Sequence, residues 1–410
     1  MDNKKNGIPK LRFPGFTGAW EQRKLGEVTE YIKGFAFKSK DYKKSGHRII
    51  RVSDLGKDSI INNNDSIFVT DEISKQQNKY KINKNEIIIT TVGSKAELKE
   101  SAVGRPIIVR NSLGYLLNQN LVKIHGKNNK DSRFIYYQLL QPRYSQYIAT
   151  IQRGNANQAN IAISDLWNYR IFITKHNEQQ KIGNFFQQLD SLIALHQRKL
   201  EHLQEQKKGL LQKMFPKNGE VVPEVRFPGF TDDWEQRKLG EVVERRIEKR
   251  RQSERYPRLA FASGQGVIPL SERKTNNREQ LTKDEFTKKY LVTELDDIVY
   301  NPANVKYGAI DRNKYGRGLI SPIYVTFTTE EVPGFIERIV KSHDFKQKAL
   351  RFEEGTVTKR QSVNPEDLVT INILVASQKK EQKKISLFFD NIDTLIALHQ
   401  RKPEYTSKLT

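Results

Sequence analysis

Apolar residues recur at helical spacing along two long stretches of the chain. The first stretch, 178–215, contains no proline, and Pro216 follows it directly. A 3-4 spacing of this length predicts one continuous helix over 178–215, roughly 57 Å long at about 1.5 Å per residue. The stripe runs through Ile182, Phe185, Leu189, Leu192, His196, Leu203 and Leu210.

The second stretch carries the same pattern but is shorter. Its stripe runs through Ile385, Phe388, Ile392, Leu395 and His399. We predict a helix over 378–402, because Pro403 removes a backbone donor and clashes with the preceding turn. An apolar stripe on an isolated helix would be exposed to water, so we expect the two helices to pack on each other. The alternative is that each helix packs on the segment that precedes it.

The segments between these helices have a different pattern. Short β-branched runs, separated by Gly, Asn and Asp, predict globules of mixed α/β structure and an α+β fold class overall. The stretch Asp131–Tyr147 is predicted to be helical. The organisation that follows is an N-terminal segment 1–19, a first globule 20–177, the long helix 178–215, a linker 216–233, a second globule 234–377, the helix 378–402 and a tail 403–410.

The chain is an internal duplication. Residues 12–28 and 226–242 agree at 15 of 17 positions, and residues 178–199 and 381–402 agree at 15 of 22. The sequences between the paired segments share little, so we infer a duplicated scaffold that carries two unlike inserts and closes into a pseudo-two-fold unit. The alternative is neutral drift after a recent duplication, but drift should also have blurred the flanking repeats.

The charge of the chain indicates its class of partner. Lys and Arg total 71 against 48 Asp and Glu among 410 residues, which gives a net charge of +23. Such a charge favours binding to nucleic acid through counterion release, although a merely basic protein or one on an anionic membrane would share it. There is no cysteine, and no apolar run approaches the roughly 20 residues of a membrane span. We expect a cytoplasmic protein.

Motifs of catalysis are missing from the sequence. No phosphate-binding loop is present, and Gly264-Gln265-Gly266 lacks the third glycine of a dinucleotide site. Asn301-Pro302-Ala303-Asn304 lacks the second proline and the aromatic ring of an adenine methyltransferase loop. His196 and His399 suit a helix interface better than a metal site. We therefore expect no catalytic residue, no metal and no cofactor.

The duplicated segments resemble the specificity subunits of Type I restriction-modification systems. Each half opens on an aromatic-Glu-x-x-Lys-Leu-Gly-Glu motif, at Trp20–Glu27 and Trp234–Glu241, and closes on the Phe-Phe and Ile-Ala-Leu-His-Gln-Arg-Lys helix. The inserts also resemble that family's target-recognition domains, at 85–90 and within 300–324. The resemblance covers nearly the whole chain.

This resemblance implies a division of labour. Residues 20–177 and 234–377 would be target-recognition domains that each read half of a split, asymmetric site in double-stranded DNA. The two helices would pack antiparallel and set the spacer between the half-sites. Two methyltransferase subunits and the restriction, or translocase, subunits would dock on a chain that is not itself an enzyme, with no membrane involved.

Two other functions stay open at this stage. One is a free-standing architectural DNA-binding protein with two basic domains on a helical spacer, and co-purification with a methyltransferase distinguishes it from the first. The other is a diverged methyltransferase, which requires a cofactor site that the sequence does not show.

Candidate DNA contacts follow from side-chain chemistry, since Arg and Lys suit guanine and phosphate while Asn and Gln suit adenine. The first insert offers Lys38, Lys40, Lys43, Lys44, Arg153, Asn155, Asn157, Gln158 and Asn160. The second offers Arg258, Gln265, Arg273, Lys274, Asn304, Lys306, Arg312, Lys314, Lys359, Arg360 and Gln361. A basic run is expected to follow phosphates or to be a solvated face; it consists of Arg245, Arg246, Lys249, Arg250 and Arg251.

Overall fold

The computed structural model describes residues 7–56, 58–95, 103–155, 158–217, 219–262, 264–273, 288–352 and 362–400. The chain divides into two units, residues 1–194 and residues 195–410. Both units combine helices with mostly antiparallel sheets, and the fold class is α+β.

The strands of the first unit are short. They are β1 (Glu21–Lys24), β2 (Thr29–Lys33), β3 (His47–Ile50), β4 (Ile67–Val69), β5 (Ile87–Thr90), β6 (Val92–Gly93), β7 (Pro106–Ile108), β8 (Leu116–Leu117), β9 (Leu121–Gly126), β10 (Arg153–Gly154), β11 (Ala159–Asn160) and β12 (Arg170–Ile173). Its helices are α1 (Leu25–Val28), α2 (Asp71–Gln76), α3 (Ser132–Leu139), α4 (Pro142–Ile151) and α5 (Ile163–Trp167), followed by the long α6 (His176–Lys213), which continues into the second unit.

The main sheet of the first unit has the strand order β2-β9-β5-β7 and is covered on both faces. Ile87 and Ile89 pack into the core beneath α3, whereas Ile88, between them, packs into a separate cluster with Ile107 on the opposite face. Side chains alternate across a strand, so an unbroken run of isoleucines requires apolar cover on both sides.

The stretch that we predicted to be one helix forms two helices. The stretch Asp131–Tyr147 divides into α3 and α4 because Pro142 begins the second helix and Gln141, before it, is extended at φ −71° and ψ 147°. Proline disfavours helical geometry in the residue that precedes it, which ends the first helix. The Asp131 side chain caps α3 by accepting from the backbone N–H groups of Arg133 and Phe134.

The second unit repeats this plan with different lengths. Its strands are β13 (Glu235–Lys238), β14 (Val243–Arg246), β15 (Lys249–Arg250), β16 (Leu259–Ala262), β17 (Gly266–Pro269), β18 (Tyr290–Thr293), β19 (Ile298–Tyr300), β20 (Ile310–Arg312), β21 (Gly318–Ile320), β22 (Val325–Thr329) and β23 (Asn372–Val375). Its helices are α7 (Pro333–Val340), α8 (His343–Leu350), α9 (Pro365–Leu368) and α10 (Lys379–Gln400). The main sheet has the order β14-β22-β19-β20.

The duplicated segments form the same structure in each unit. Strand β1 pairs antiparallel with β12, and β13 pairs antiparallel with β23. Arg12 Nε lies 2.6 Å from Glu178 Oε1, and Arg226 Nε lies 2.6 Å from Glu381 Oε1. Each arginine thereby ties the entry segment of its unit to the first turns of the following long helix.

The second half of α6 packs along α10 within the second unit. The Nδ1 atoms of His196 and His399 lie 3.0 Å apart, and Lys207 Nζ lies 2.5 Å from Asp393 Oδ1. Residues further along α6 therefore meet residues earlier in α10, which is an antiparallel arrangement. Leu210 and Leu211 pack on the core cluster that contains Phe389.

The apolar stripe of α6 is covered unevenly. Ile182 is partly buried against the core of the first unit, and Leu203 is buried. Phe185, Leu189 and Leu192 are exposed. On α10, Ile385 is buried, Phe388 and Ile392 are partly buried against the core, and Leu395 is exposed.

Candidate nucleic-acid interface

Four lysines of the first insert project from one short segment. Lys38 precedes a turn of 3₁₀ helix at Ser39–Asp41, and Lys40, Lys43 and Lys44 follow or lie within it, all exposed. Backbone hydrogen bonds between Lys43 and Phe68 fix this segment beside β4. The structure thus presents the four predicted lysines as one cationic edge.

A groove of about 660 Å³ opens beside Lys44. Its polar lining comes from the β3 side chains His47 and Arg48, from the loop Asn62–Asn64 and from Tyr115. Carboxamide, imidazole, phenol and ammonium groups are the donors and acceptors that read base edges and phosphates. This lining therefore suits a polar, anionic ligand.

Arg48 organises the floor of the groove. Its guanidinium donates to Asp54 Oδ1 at 3.0 Å and to Asn62 Oδ1 at 2.9 Å, and it lies 5.5 Å from the centre of the Tyr115 ring. Asn63 Nδ2 donates to the same Asp54 oxygen at 2.7 Å. Because Arg48 bonds both the Asp54 carboxylate and Asn62, it holds the asparagine loop in place, and Asn64 of that loop is exposed.

A β-hairpin carries the second group of predicted contacts. Strands β10 and β11 pair with each other, and β11 also pairs with β6. Asn155, Gln158 and Asn160 are exposed on this hairpin, and the Gln158 N–H donates to Asn155 Oδ1 at 2.9 Å. Arg153 is exposed and donates to Asp165 at 2.7 Å. Asn157 lies outside the described residues.

The predicted contacts of the second insert are more dispersed. Gln265 is exposed in the turn between β16 and β17, and Arg273 follows β17. Asn304 is exposed and Lys306 partly buried in a 3₁₀ segment, with the Lys306 ammonium 5.5 Å from the centre of the Tyr307 ring. Lys274, Lys359, Arg360 and Gln361 lie outside the described residues.

Two predicted contacts, Arg258 and Arg312, are directed into the second unit, and a third, Lys314, is exposed but pairs with a buried carboxylate there. Arg258 is buried, with its guanidinium carbon 3.4 Å from the centre of the Tyr290 ring. Arg312 donates to Glu337 at 2.9 Å and to Asp390 at 2.7 Å, and Lys314 Nζ lies 2.8 Å from Glu337. These cations stabilise the packing of the insert, so none of the three is carried into the interface proposed below.

The charge around Glu337 is tightly balanced. Burial alone would raise the pKa of this carboxyl, but Arg338, Lys314 and Lys341 outweigh burial and hold its pKa at about 2. Glu337 is therefore ionised at neutral pH and serves as the counter-charge for the cations that surround it.

In the basic run 245–251, some side chains form ion pairs within the second unit and others are exposed. Arg245 pairs with Glu366 at 2.9 Å, and Arg246 donates to both carboxylate oxygens of Asp297. Arg250 pairs with Glu248 and stacks 5.0 Å from the Tyr256 ring. Lys249 and Arg251 are exposed. The run is thus anchored by some of its members and presents charge through the others.

Comparisons with known proteins agree with this architecture. The family model for the Type I restriction modification DNA specificity domain matches residues 18–205, which span the first insert and the first part of α6. Over these residues the chain is similar to the DNA specificity domain of Type I restriction-modification systems.

Two relatives and one solved structure are also similar to this chain. A Methanocaldococcus jannaschii protein named for the specificity subunit of the type I restriction enzyme MjaX is 23% identical over 95% of this chain and 90% of its own length. The MjaVIII specificity subunit of the same organism is 22% identical over 55% of this chain and 49% of its own. The S subunit of a Type I system from M. genitalium has the same fold, with a TM-score of 0.61, 14% identity, and coverage of 96% and 94% of the two chains.

Apart from Lys44, the residues that line the groove were not anticipated from sequence. The run Asn62–Asn64 has only the pattern of a turn-forming loop, and Tyr115 lies about 50 residues further along. Only the parallel pairing of β3 with β8, which brings the Tyr115 segment beside His47 and Arg48, assembles them. No local sequence signal carries that pairing.

Within the described residues, no three His, Asp or Glu side chains are grouped to hold a metal ion. In the same part of the chain, no helix combines the length and apolarity that crossing a membrane requires.

Proposed function

We propose that this specificity subunit reads a bipartite, asymmetric DNA site, with one insert on each half-site, and that methyltransferase and endonuclease subunits dock on its duplicated scaffold. The chain itself would catalyse neither methyl transfer nor cleavage. The observation that supports this proposal best is that one scaffold geometry, with the same Arg–Glu distance of 2.6 Å in each unit, holds two unlike inserts.

In the first insert, the proposed DNA-contacting surface consists of the lysine edge, the groove and the β10–β11 hairpin. The exposed lysines would contact phosphates and fix the register, because ammonium groups bind the backbone without reading sequence. The exposed carboxamides of Asn64 and of the hairpin would read base edges, since an amide can bond an adenine edge twice. In the second insert, Gln265 and Asn304 are the exposed carboxamides that we assign to the same task.

Exchange of one insert tests the division of labour. Residues 243–376 would be replaced by an unrelated target-recognition domain, and the methylated motif would be determined with purified methyltransferase subunits and S-adenosylmethionine. We expect one half-site to change and the other to stay the same. A change in both halves would contradict the proposal, as would methyl transfer by this chain without partner subunits.

Single substitutions test the groove. We expect Lys44→Ala to weaken binding to all duplexes and to flatten the dependence of log K on log salt by about one. Asn64→Ala should instead lower discrimination at one position of one half-site. Lys75→Ala, at an exposed lysine of α2 that does not line the groove, is the matched control. Equal salt slopes for Lys44→Ala and the natural chain would remove Lys44 from the interface.

A further inference from the structure

Two histidines meet where α6 and α10 pack together within the second unit. The Nδ1 atoms of His196 on α6 and His399 on α10 lie 3.0 Å apart, and their ring planes are inclined at 49°. The two residues occupy the same position of the duplicated Ala-Leu-His-Gln-Arg-Lys motif, one in each copy. The sequence favours a helix interface for both, and the structure adds that the same nitrogen of each ring faces the other ring.

The packing of the helices holds these two rings in place. Lys207 Nζ lies 2.5 Å from Asp393 Oδ1, and Leu203, which lies between Lys207 and His196 on α6, is buried. These contacts fix the antiparallel register of the two helices beside the histidines. Because the folded chain already brings the imidazoles together, a ligand that binds both does not first have to order them.

The two facing nitrogens can share either a proton or a metal ion. A neutral imidazole has one N–H donor and one acceptor, so a hydrogen bond requires one ring to carry its proton on Nδ1 and the other on Nε2. A metal ion instead accepts the Nδ1 lone pairs of two identical rings, each with its proton on Nε2. His196 is exposed and His399 is partly buried, so an ion and its water ligands can reach the pair.

The distance between the nitrogens suits one class of ion. With metal–nitrogen bonds of about 2.0–2.1 Å, two ligand atoms 3.0 Å apart subtend an angle of roughly 90–97° at the ion. Neighbouring ligands in square-planar and octahedral coordination have this angle, whereas a tetrahedral ion such as Zn²⁺ requires about 109°. Imidazole is a good ligand for Ni²⁺ and Cu²⁺, and Mg²⁺ prefers oxygen.

We propose that His196 and His399 form a two-imidazole site for a divalent transition-metal ion, which Ni²⁺ and Cu²⁺ fit best, and that the bound ion fastens α10 to α6. Within the described residues, no third His, Asp or Glu completes a metal-binding group, so water or a ligand from outside the chain would fill the other positions. The ion would stabilise the second unit, because a ligand that binds only the folded chain shifts the unfolding equilibrium. This inference does not rest on the proposed DNA reading.

Titration of the untagged full chain with Ni²⁺, after treatment with a chelator, tests the site. We expect one ion to bind tightly per chain by calorimetry, and Mg²⁺ at the same concentrations to give no signal. His196→Ala and His399→Ala should each weaken Ni²⁺ binding by more than the roughly tenfold that loss of a group supporting a ligand costs. His202→Ala, which removes another exposed histidine of α6, should leave Ni²⁺ binding unchanged.

Cu²⁺ is the spectroscopic probe of the same site. With one equivalent bound, pulsed electron paramagnetic resonance should detect two coordinated imidazoles in the natural chain and one in His399→Ala. Because this count is made on the natural chain, it stands even if an alanine variant folds poorly, and His196→Gln offers a milder replacement.

Stability gives an independent measurement. At a Ni²⁺ concentration of 100 times Kd, the unfolding equilibrium of the second unit should shift about a hundredfold toward the folded state, and His399→Ala should show no such shift. Undetectable Ni²⁺ binding, a single coordinated imidazole in the natural chain, or an equal loss of binding in His202→Ala would overturn the proposal. The two rings would then share a proton and no metal.

Discussion

The two units place different chemistry at the same structural position. Trp20 packs edge-on against Phe134 of α3, and Trp234 packs in the same way against Phe335 of α7, with ring centres 5.4 and 5.2 Å apart. An isoleucine follows each of these phenylalanines, and the next two residues differ between the units. They are Tyr136 and Tyr137 in the first unit and Glu337 and Arg338 in the second.

In both units, a side chain of the insert contacts the same carboxylate position of the duplicated helix. The Tyr137 hydroxyl donates to Asp190 at 2.8 Å, and Arg338 donates to Asp393, the counterpart of Asp190, at 2.8 Å. The scaffold therefore specifies where a helix docks and offers it one acceptor. It leaves the insert free to satisfy that acceptor with a phenol or with a buried ion network.

The largest expected effect concerns the phenylalanines of the duplicated helix. Phe389→Ala should lower the free energy of unfolding of the second unit by about 4 kcal/mol, as is usual for a fully buried phenylalanine. Phe186→Ala should cost the first unit only about 1 kcal/mol, because much of its ring is already in water. Urea titration read by hydrogen exchange mass spectrometry follows the units separately. Equal losses would show that Phe186 is as well covered as Phe389.

The ion network should be the next most sensitive feature. Glu337→Gln removes the charge that balances Arg312, Lys314 and Arg338, and we expect the second unit to lose about 3 kcal/mol, the usual result of breaking a buried pair. The matched change in the first unit, Tyr136→Phe, should cost less than about 1 kcal/mol. If both substitutions cost the same, measured in the same urea experiment, the two positions are not chemically distinct.

Lowering the pH should also destabilise the second unit more than the first. The pKa of Glu337 falls from its ordinary 4.5 to about 2 in the folded chain, so the ionised form stabilises the fold above pH 4.5 and that stability is lost as the pH falls toward 2. Between pH 5 and pH 3.5 the second unit should lose about 1 kcal/mol more than a Glu337→Gln variant does. Tyr136 has no such titration, since burial and Asp190 raise its pKa to about 12. Parallel losses in variant and natural chain would exclude Glu337 as the cause.

Periodicity predicted the α+β fold class and the long helices. A 38-residue apolar stripe without proline is compatible with few structures other than one continuous helix. The division at Pro142 was missed, although the proline was visible, because apolar spacing continues across it. Which arginines reach the surface could not be predicted. Arg312 resembles any loop arginine in sequence, and its burial depends on Glu337 and Asp390, which lie 25 and 78 residues away.

The smallest expected effect tests the shared acceptor itself. Tyr137→Phe removes one hydrogen bond to Asp190 and leaves the bond from Arg110 in place. We expect the first unit to lose about 0.5–1 kcal/mol, the net value of a typical hydrogen bond, since the carboxylate is partly solvated and keeps a cationic partner. Arg338→Met should cost the second unit more, because the Arg338 side chain is nearly buried and Asp393 lies beside a second carboxylate, Asp390. A Tyr137→Phe loss as large as that of Arg338→Met would mean that the phenol, like the guanidinium, is essential to how its insert docks on the helix.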